Sequence, residues 1–292
     1  MNRREPDQDE SAAAPARGGL LWVVATPIGN LGDLSPRAVE VLRTADLILA
    51  EDTRHTRPLL QQFGIGTPLW ALHEHNEAGM VARCLARLAA GQRLALVSDA
   101  GTPLVSDPGF RLVRAAREAG IEVSPVPGPC ALIAALSVAG LPSDRFCFEG
   151  FLPARAAARR EAIARLRAEP RTLIFYESAH RIVEALADLA AGLGAERRAT
   201  LARELTKRFE TVLHGTLQQL QARCAIDPDQ QRGEFVLVVE GAADDAMARL
   251  AEGRRIQALL AAHLPPSTAA RLAAELSGAP RKALYDSAKA EA

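Results

Sequence analysis

Short apolar runs alternate with helical patterns through the first half of the chain. Runs with the length and composition of buried strands lie at residues 20–25, 47–50, 68–72, 94–97 and 121–126. Ser35-Pro36 is a strong helix start, and amphipathic patterns follow at residues 55–63, 77–90 and 110–119. Strands joined by helices in this way predict a mainly parallel sheet with right-handed crossovers.

The stretch Pro125-Val-Pro-Gly-Pro129 interrupts this alternation and predicts a domain hinge. Beyond it, strands are predicted at residues 145–148, 172–176, 200–203, 210–213 and 234–240, with helices at 129–139, 154–168, 180–191 and 217–224. Several of these connections are too short for crossovers, so the second sheet should be mixed.

After Gly241 the pattern is entirely helical, at residues 243–262, 268–276 and 281–288. The last two helices have helix-turn-helix proportions, although an Ala-rich hairpin packed on its neighbour would give the same pattern. We therefore predict a disordered tail (1–18), an N-terminal α/β domain (19–128), a C-terminal α/β domain (129–242) and a helical extension (243–292).

Composition indicates in which compartment the protein works and whether it contacts a membrane. With 48% hydrophobic residues, the chain is typical of a soluble globular protein. It has neither an apolar run long enough for a bilayer nor a signal-peptide pattern, and its four cysteines are far apart. These features predict free thiols and a cytoplasmic protein with no membrane contact.

The charge balance argues against a generic electrostatic nucleic-acid binder, because 35 basic residues are matched by 35 acidic ones. Arginines are nevertheless frequent between Arg145 and Arg208. They include Arg155, Arg159, Arg160, Arg165, Arg167 and Arg171. Solvated helix faces would explain them as well as an RNA-binding surface would.

The loop at residues 98–109 follows the predicted strand 94–97, and Asp99 lies where that strand should end. Ligands of open α/β sheets bind in the crevice outside the carboxyl ends of the strands. Gly and Pro in such a loop can merely shape turns, but this loop exceeds the usual length of a strand-to-helix connection. We therefore predict that it binds a ligand.

Two other polar loops follow the first and second predicted strands. The first contains Gly29-Asn-Leu-Gly32, whose spacing is not the GxGxxG of a dinucleotide site, so an NAD-type ligand is disfavoured. The second, Glu51-Asp-Thr-Arg54, offers a general base and a phosphate-binding cation, although Asp52 could simply cap a helix.

His73 and His75 lie two residues apart after the third strand and could contact a metal ion. Spacing supplies no third or fourth ligand for such a site. We therefore predict no metal.

Taken together, the loops resemble one family, the ribosomal RNA small-subunit methyltransferase I group of the tetrapyrrole-methylase superfamily. The matching segments are Val24-Ala-Thr-Pro-Ile-Gly-Asn-Leu-Gly-Asp33, Ala50-Glu-Asp-Thr-Arg54, His75-Asn-Glu77, Ser98-Asp-Ala-Gly-Thr-Pro-Leu-Val-Ser-Asp-Pro-Gly109, Val126-Pro-Gly-Pro129, Phe148-Glu-Gly-Phe-Leu-Pro153, Phe175-Tyr-Glu-Ser178 and Arg203-Glu-Leu-Thr-Lys207. The resemblance covers roughly residues 20–241, and the C-terminal helices are similar to that group's small extension.

The resemblance implies two α/β domains of tetrapyrrole-methylase type with S-adenosyl-L-methionine in the cleft between them. The implied product is a 2′-O-methylated cytidine in the decoding region of 16S rRNA, made by a cytoplasmic homodimer without a metal. The near-zero charge suggests that recognition depends on an assembled 30S subunit. By position, the implied cofactor site consists of Pro27, Ile28, Asp99, Ala100, Gly101, Thr102, Cys130, Ala131 and Tyr176.

A ribose 2′-hydroxyl is a poor nucleophile, so a positioned base would help it react. The candidates are Glu51, Asp52 and His75, with Arg54 better suited to a backbone phosphate, and the sequence does not choose among them. Two alternatives stay open. One is a methyltransferase of the same fold acting on a small molecule such as a tetrapyrrole. The other is a noncatalytic RNA-binding protein acting through the C-terminal hairpin.

Overall fold

The structure is a computed structural model that describes residues 18–243 and 246–284. The tail predicted at residues 1–18 lies outside this part, except for Gly18. Of the helix predicted at residues 281–288, residues 281–284 are helical and the others lie outside the described residues.

The first sheet contains five parallel strands in the order β3-β2-β4-β1-β5. They are β1 (Leu20–Val24), β2 (Leu47–Ala50), β3 (Leu69–Ala71), β4 (Arg93–Val97) and β5 (Glu122–Val126). Each pair of neighbouring strands is parallel, which confirms the predicted mainly parallel sheet. All four residues of β2 are buried, as expected for a strand covered on both faces.

Four helices cover the two faces of this sheet. They are α1 (Pro36–Thr44), α2 (Thr53–Gln62), α3 (Glu77–Ala89) and α4 (Phe110–Glu118). Helices α1 and α2 pack with alternate strand residues on one face, whereas α3 and α4 pack on the other. Helix α1 begins where its sequence predicts, because Ser35 accepts a hydrogen bond from the backbone N–H of Ala38.

The second sheet is mixed, as predicted, with the order β6-β7-β10-β8-β9. Its elements are α5 (Ala131–Val138), β6 (Phe146–Phe151), α6 (Ala156–Arg165), β7 (Thr172–Ser178), α7 (Ile182–Leu193), β8 (Arg198–Arg203), β9 (Thr211–Thr216), α8 (Leu217–Ile226) and β10 (Glu234–Val239). Strands β6 and β7 are parallel, and the other pairs are antiparallel.

Helices α6, α7 and α8 cover one face of the second sheet, and α5 covers the other. Helix α5 directly follows the hinge predicted at residues 125–129 and packs on the second sheet. The two cores therefore separate at that hinge, while the exact domain limits stay a prediction.

Strand β6 is longer than its apolar run predicts. The run ends at Phe148, but the strand continues to Phe151 through a register shift between Phe148 and Gly150. Gly150 has a φ of 65°, which only glycine adopts readily, and this conformation permits the bulge. The bulge brings Phe151 into the sheet opposite Tyr176.

The C-terminal extension contains α9 (Ala246–Ala261) and α10 (Pro266–Ser277), which pack against each other. A Cβ at Gly253 would lie 2.8 Å from the Oγ of Ser277, so this glycine allows the close approach. No helix within the described residues is long and apolar enough to span a bilayer.

Candidate functional site

The loops after β1 and β4 meet at the edge of the first sheet. These strands are neighbours, and the connections that follow them lead to different parts of the sheet. The backbone N–H of Thr26 donates to the carbonyl of Gly101 at 2.8 Å, and that of Gly101 donates to Thr26 at 3.0 Å. This topological switch point is the place where doubly wound sheets bind ligands.

A cavity of about 540 Å³ opens at this point, between the loops of the first sheet and the second sheet. The first half contributes the loops after β1, β2 and β4. The second half contributes the ends of β6, β7 and β8, the loops after β7 and β8, and the start of β10. This volume is typical of small-molecule sites. The cavity is therefore the candidate active site.

Most of the residues implied as cofactor ligands lie at this cavity. Those that line it are Ile28, Asp99, Ala100, Gly101, Thr102, Cys130, Ala131 and Tyr176. Pro27 does not line it. The folded chain thus brings together residues that span almost 150 positions of sequence, and their role in cofactor binding stays a prediction.

The Asp99 carboxylate is held by the loop after β2. Its Oδ1 accepts a hydrogen bond from the backbone N–H of Asp52 at 2.9 Å, and its Oδ2 lies 2.9 Å from Nδ1 of His55. The hydrogen bond to Asp99 raises the pKa of His55. The sequence places His55 beside Arg54 in the same polar segment, but His55 was not among the predicted site residues.

The four catalytic candidates do not assemble into one site. All four lie in the described part of the chain, and of them only Glu51 lines the cavity. Asp52 caps α2 and pairs with Arg54, whose guanidinium lowers the pKa of that carboxyl. The Arg54 side chain is 87% exposed, and the His75 ring packs edge-on against His73.

The cavity also contains a carboxyl group that the sequence did not single out, that of Asp107. Burial and then the negative charge of Glu51 raise the pKa of Asp107 to about 7. Burial, followed by the charge of Asp99, likewise raises the pKa of Glu51. The sequence signal for Asp107 is the Ser106-Asp-Pro-Gly109 end of the long loop, which predicts only a turn.

The second half supplies charged and aromatic groups to the same cavity. Lys207 lines it and donates to Glu204 at 2.9 Å and to Glu234 at 2.7 Å. Tyr176 accepts a hydrogen bond from the backbone N–H of Leu132 at 3.2 Å, and burial raises its pKa. Phe151, 54% exposed, packs edge-on against Tyr176 with ring centroids 5.7 Å apart. The sequence did not reveal the positions of Lys207 and Phe151, because both depend on how the second sheet faces the first.

Two family models match the chain. Residues 20–221 match the tetrapyrrole (corrin/porphyrin) methylases, and residues 247–290 match the RsmI C-terminal HTH domain. A relative from Xylella fastidiosa (strain Temecula1) is 67% identical over 267 residues, which cover 91% of this chain and 98% of the relative. One from Escherichia coli O157:H7 is 56% identical, over 91% and 93% of the two chains. Both are ribosomal RNA small subunit methyltransferase I proteins by name. The chain belongs to the ribosomal RNA small subunit methyltransferase I family.

Solved structures extend the likeness to the fold of the wider superfamily. The methyltransferase CobJ superposes with a TM-score of 0.57 at 21% identity, over 77% of this chain and 95% of that one. A uroporphyrin-III C-methyltransferase from Thermus thermophilus, complexed with S-adenosylhomocysteine, gives 0.51 at 19% identity, over 76% and 97%. These superpositions confirm that the chain has the tetrapyrrole-methylase fold.

The pair His73 and His75 was considered as a possible metal site from its spacing. Within residues 18–243 and 246–284 of this methyltransferase I family member, no three His, Cys, Asp or Glu side chains are grouped so that they could share a metal ion.

Proposed function

We propose that the protein transfers a methyl group from S-adenosyl-L-methionine to the ribose 2′-hydroxyl of a cytidine in the decoding region of 16S rRNA. The observation that carries this proposal is the match to small-subunit rRNA methyltransferases over both α/β halves and the helical extension, with identities of 67% and 56%. The cavity between the halves is the proposed site of the reaction.

The chemistry of the cavity suits the proposed methyl donor. Its lining includes the carboxyl group of Glu51, which makes no ion pair within the described residues and favours the positive charge of a sulfonium. Gly101 has a φ of 84°, and a Cβ there would lie 3.3 Å from Cγ2 of Ile28, so glycine keeps a narrow part of the cavity open. We assign cofactor binding to the lining residues Ile28, Asp99, Ala100, Gly101, Thr102, Cys130, Ala131 and Tyr176, and to Pro27, which precedes Ile28 in the loop after β1.

When bound, S-adenosyl-L-methionine supplies an electrophilic methyl group on a positively charged sulfur. The residues of the chain mainly have to align the attacking oxygen with that methyl group and exclude water. Rigid loops serve this purpose: Asp99 is fixed by Asp52 and His55, and Thr102 donates to the carbonyl of Pro129 at 3.0 Å.

An exposed ring at the cavity supports a nucleoside as the acceptor. Single-stranded RNA bases that are turned out of a helix stack on aromatic side chains. Phe151 lines the cavity and is more than half exposed, so much of its ring surface is accessible to a base. We propose that the cytosine stacks on Phe151 while its ribose enters the cavity.

Some arginines of the second half are paired with carboxylates of the protein, so fewer of them are available to bind RNA phosphates than the sequence suggests. Arg159 is buried and pairs with Glu184 and Asp188, and Arg165 pairs with Glu161. We therefore propose that recognition uses the surface of an assembled 30S subunit, a homodimer of the protein and the helical extension. Since ribosomal subunits are cytoplasmic, the proposed location is the cytoplasm.

The experiment is incubation with radiolabelled S-adenosyl-L-methionine and one of three acceptors: 30S subunits, naked 16S rRNA or a porphyrinogen. We expect label in the 30S rRNA and little in naked rRNA. Label only in the porphyrinogen would replace the proposal with a small-molecule methyltransferase. Binding of 30S without any label would favour a noncatalytic RNA-binding protein.

A further inference from the structure

The loop between β4 and α4 holds Asp107 in a constrained position. Leu104 and Ser106 have φ values of 73° and 68°, a conformation that side-chain-bearing residues rarely adopt. Val105 between them packs against the apolar cluster of the second sheet, and Gly109 closes the loop with a φ of 120°. Backbone strain of this kind persists only where the surroundings enforce it, and it is concentrated at functional sites.

The same loop brings Asp107 close to the exposed ring. A Cβ at Gly150 would lie 3.6 Å from Oγ of Ser106, so the loop passes directly beside the β6 bulge. Phe151 follows that glycine, and both Phe151 and Asp107 line the cavity. The ribose of a base stacked on Phe151 would therefore lie near the Asp107 carboxyl.

Most of the other charged groups of the cavity are already engaged. Asp99 is bound by His55, Glu177 by Arg181 and Glu204 by Lys207. Within the described part of the chain, Glu51 and Asp107 make no ion pair. Hydrogen bonds from the backbone N–H of Asp99 to Glu51 and from the Ser98 hydroxyl to Asp107 lower the two pKa values, but burial and the charge of Glu51 still raise the pKa of Asp107 to about 7. Asp107 is thus the carboxyl best able to take up a proton.

We propose that Asp107 is the proton acceptor of the reaction, with Glu51 as its neighbouring carboxyl group in the cavity. The inference rests on the proposed ribose methylation. The 2′-O–H proton moves to the Asp107 carboxylate while the O–C bond to the methyl group forms. The S–C bond breaks, its electron pair stays on sulfur, and the carboxyl later releases the proton to water.

The charges around Asp107 determine the pH dependence. From the first half it faces Glu51 and Asp99, the latter paired with His55, and from the second half it faces Tyr176. Glu177, Glu204, Lys207 and His180 line the same cavity. Because burial and Glu51 raise the pKa of Asp107 to about 7, the carboxylate form is lost as the pH falls through that value.

The test measures initial rates of 30S methylation between pH 5.5 and 9 at saturating concentrations of both substrates, together with S-adenosyl-L-methionine binding by calorimetry. The wild-type rate should rise with pH through about 7 and then level off. Asp107→Asn should lower the plateau rate by about 100-fold or more, while cofactor affinity stays within about twofold. Asp107→Glu should recover part of the rate.

Glu51→Gln gives an independent readout, because loss of its charge should move the acid limb to lower pH. Asp144→Asn, an exposed carboxyl on another part of the surface, is the matched control and should leave rate and profile unchanged. An Asp107→Asn variant that keeps the wild-type rate, or a Glu51→Gln profile that does not move, would overturn the inference. An Asp107→Asn variant that loses rate and cofactor affinity to the same extent would also overturn the inference. If the wild-type protein labels no rRNA, the proposed function itself fails.

Discussion

The Nδ1 atom of His55 lies 2.9 Å from the Oδ2 atom of Asp99, so a residue of α2 holds a carboxylate of the loop that follows β4. The two residues are 44 positions apart, and strands β2 and β4, which precede them, are neighbours in the sheet. The pairing fixes two loops of the cavity relative to each other. Because the His55 ring can lose its proton, the contact between His55 and Asp99 depends on pH.

The first prediction concerns the titration of His55. Asp99 raises its pKa above the ordinary value near 6.5. The ion pair is therefore complete below that ordinary pKa and is lost as the pH rises through the raised one. An NMR titration of the His55 ring should give a lower pKa in Asp99→Asn than in the wild type. The control Asp144→Asn should not change it, and equal values in all three proteins would contradict the pairing.

A second prediction separates backbone strain from cavity shape. Gly101 and Gly64 have φ values of 84° and 62°, but a Cβ at Gly64 would meet no atom within 4 Å. Each Gly→Ala change should lower the free energy of unfolding by about 1–2 kcal/mol. Only Gly101→Ala should also weaken S-adenosyl-L-methionine binding, measured by calorimetry. Equal cofactor affinity in the two variants would show that Gly101 does not border the cofactor.

The third prediction concerns Phe151 and base stacking. Loss of a stacked aromatic ring costs about 1–3 kcal/mol per base, so Phe151→Ala should raise the KM for 30S subunits by about fivefold or more. Cofactor affinity should not change, and Phe151→Trp should retain most of the activity. The control is Phe209→Ala, which removes a similarly exposed ring that does not line the cavity. If the two alanine variants have the same KM, the stacking proposal is wrong.

Arg159 yields a prediction about stability. Its side chain is 2% exposed, and its Nε lies 2.6 Å from Oδ2 of Asp188. Arg159→Ala would remove the closer of two cations beside that largely buried carboxylate and leave Arg160, whose Nη1 lies 3.7 Å from Oδ1 of Asp188, at a cost of about 3 kcal/mol. Urea denaturation should show this loss, whereas the exposed Arg155→Ala should change stability little. A stability loss below about 1 kcal/mol in Arg159→Ala would mean that the buried pair is not structural.

Much of the architecture could be predicted because it depends on local patterns. Apolar runs determine the strands, and the Ser35-Pro36 start and the break at residues 125–129 mark α1 and the separation of the two cores. The carboxyl ends of parallel strands share one edge, so the loops containing Asp99 and Glu51 could be expected to meet. The ends of the strands were harder to predict, because the bulge at Gly150 extends β6 beyond its apolar run.

The cavity could be predicted only in part, because its composition depends on contacts between the two halves. Asp52 and Arg54 neutralise each other at the start of α2, an arrangement that the sequence allowed but did not favour over a catalytic role. Asp107 and Lys207 reach the cavity through turns with positive φ at non-glycine residues. Such conformations arise from tertiary packing, and neither composition nor periodicity indicates them.

The central claim is ribose methylation of small-subunit rRNA, and nucleoside mass spectrometry tests it most directly. Subunits incubated with the protein and S-adenosyl-L-methionine carrying a labelled methyl group would be digested to nucleosides and compared with a reaction lacking the protein. We predict labelled 2′-O-methylcytidine from 16S rRNA. A label on the cytosine base, on another nucleoside or on no nucleoside at all would contradict the account.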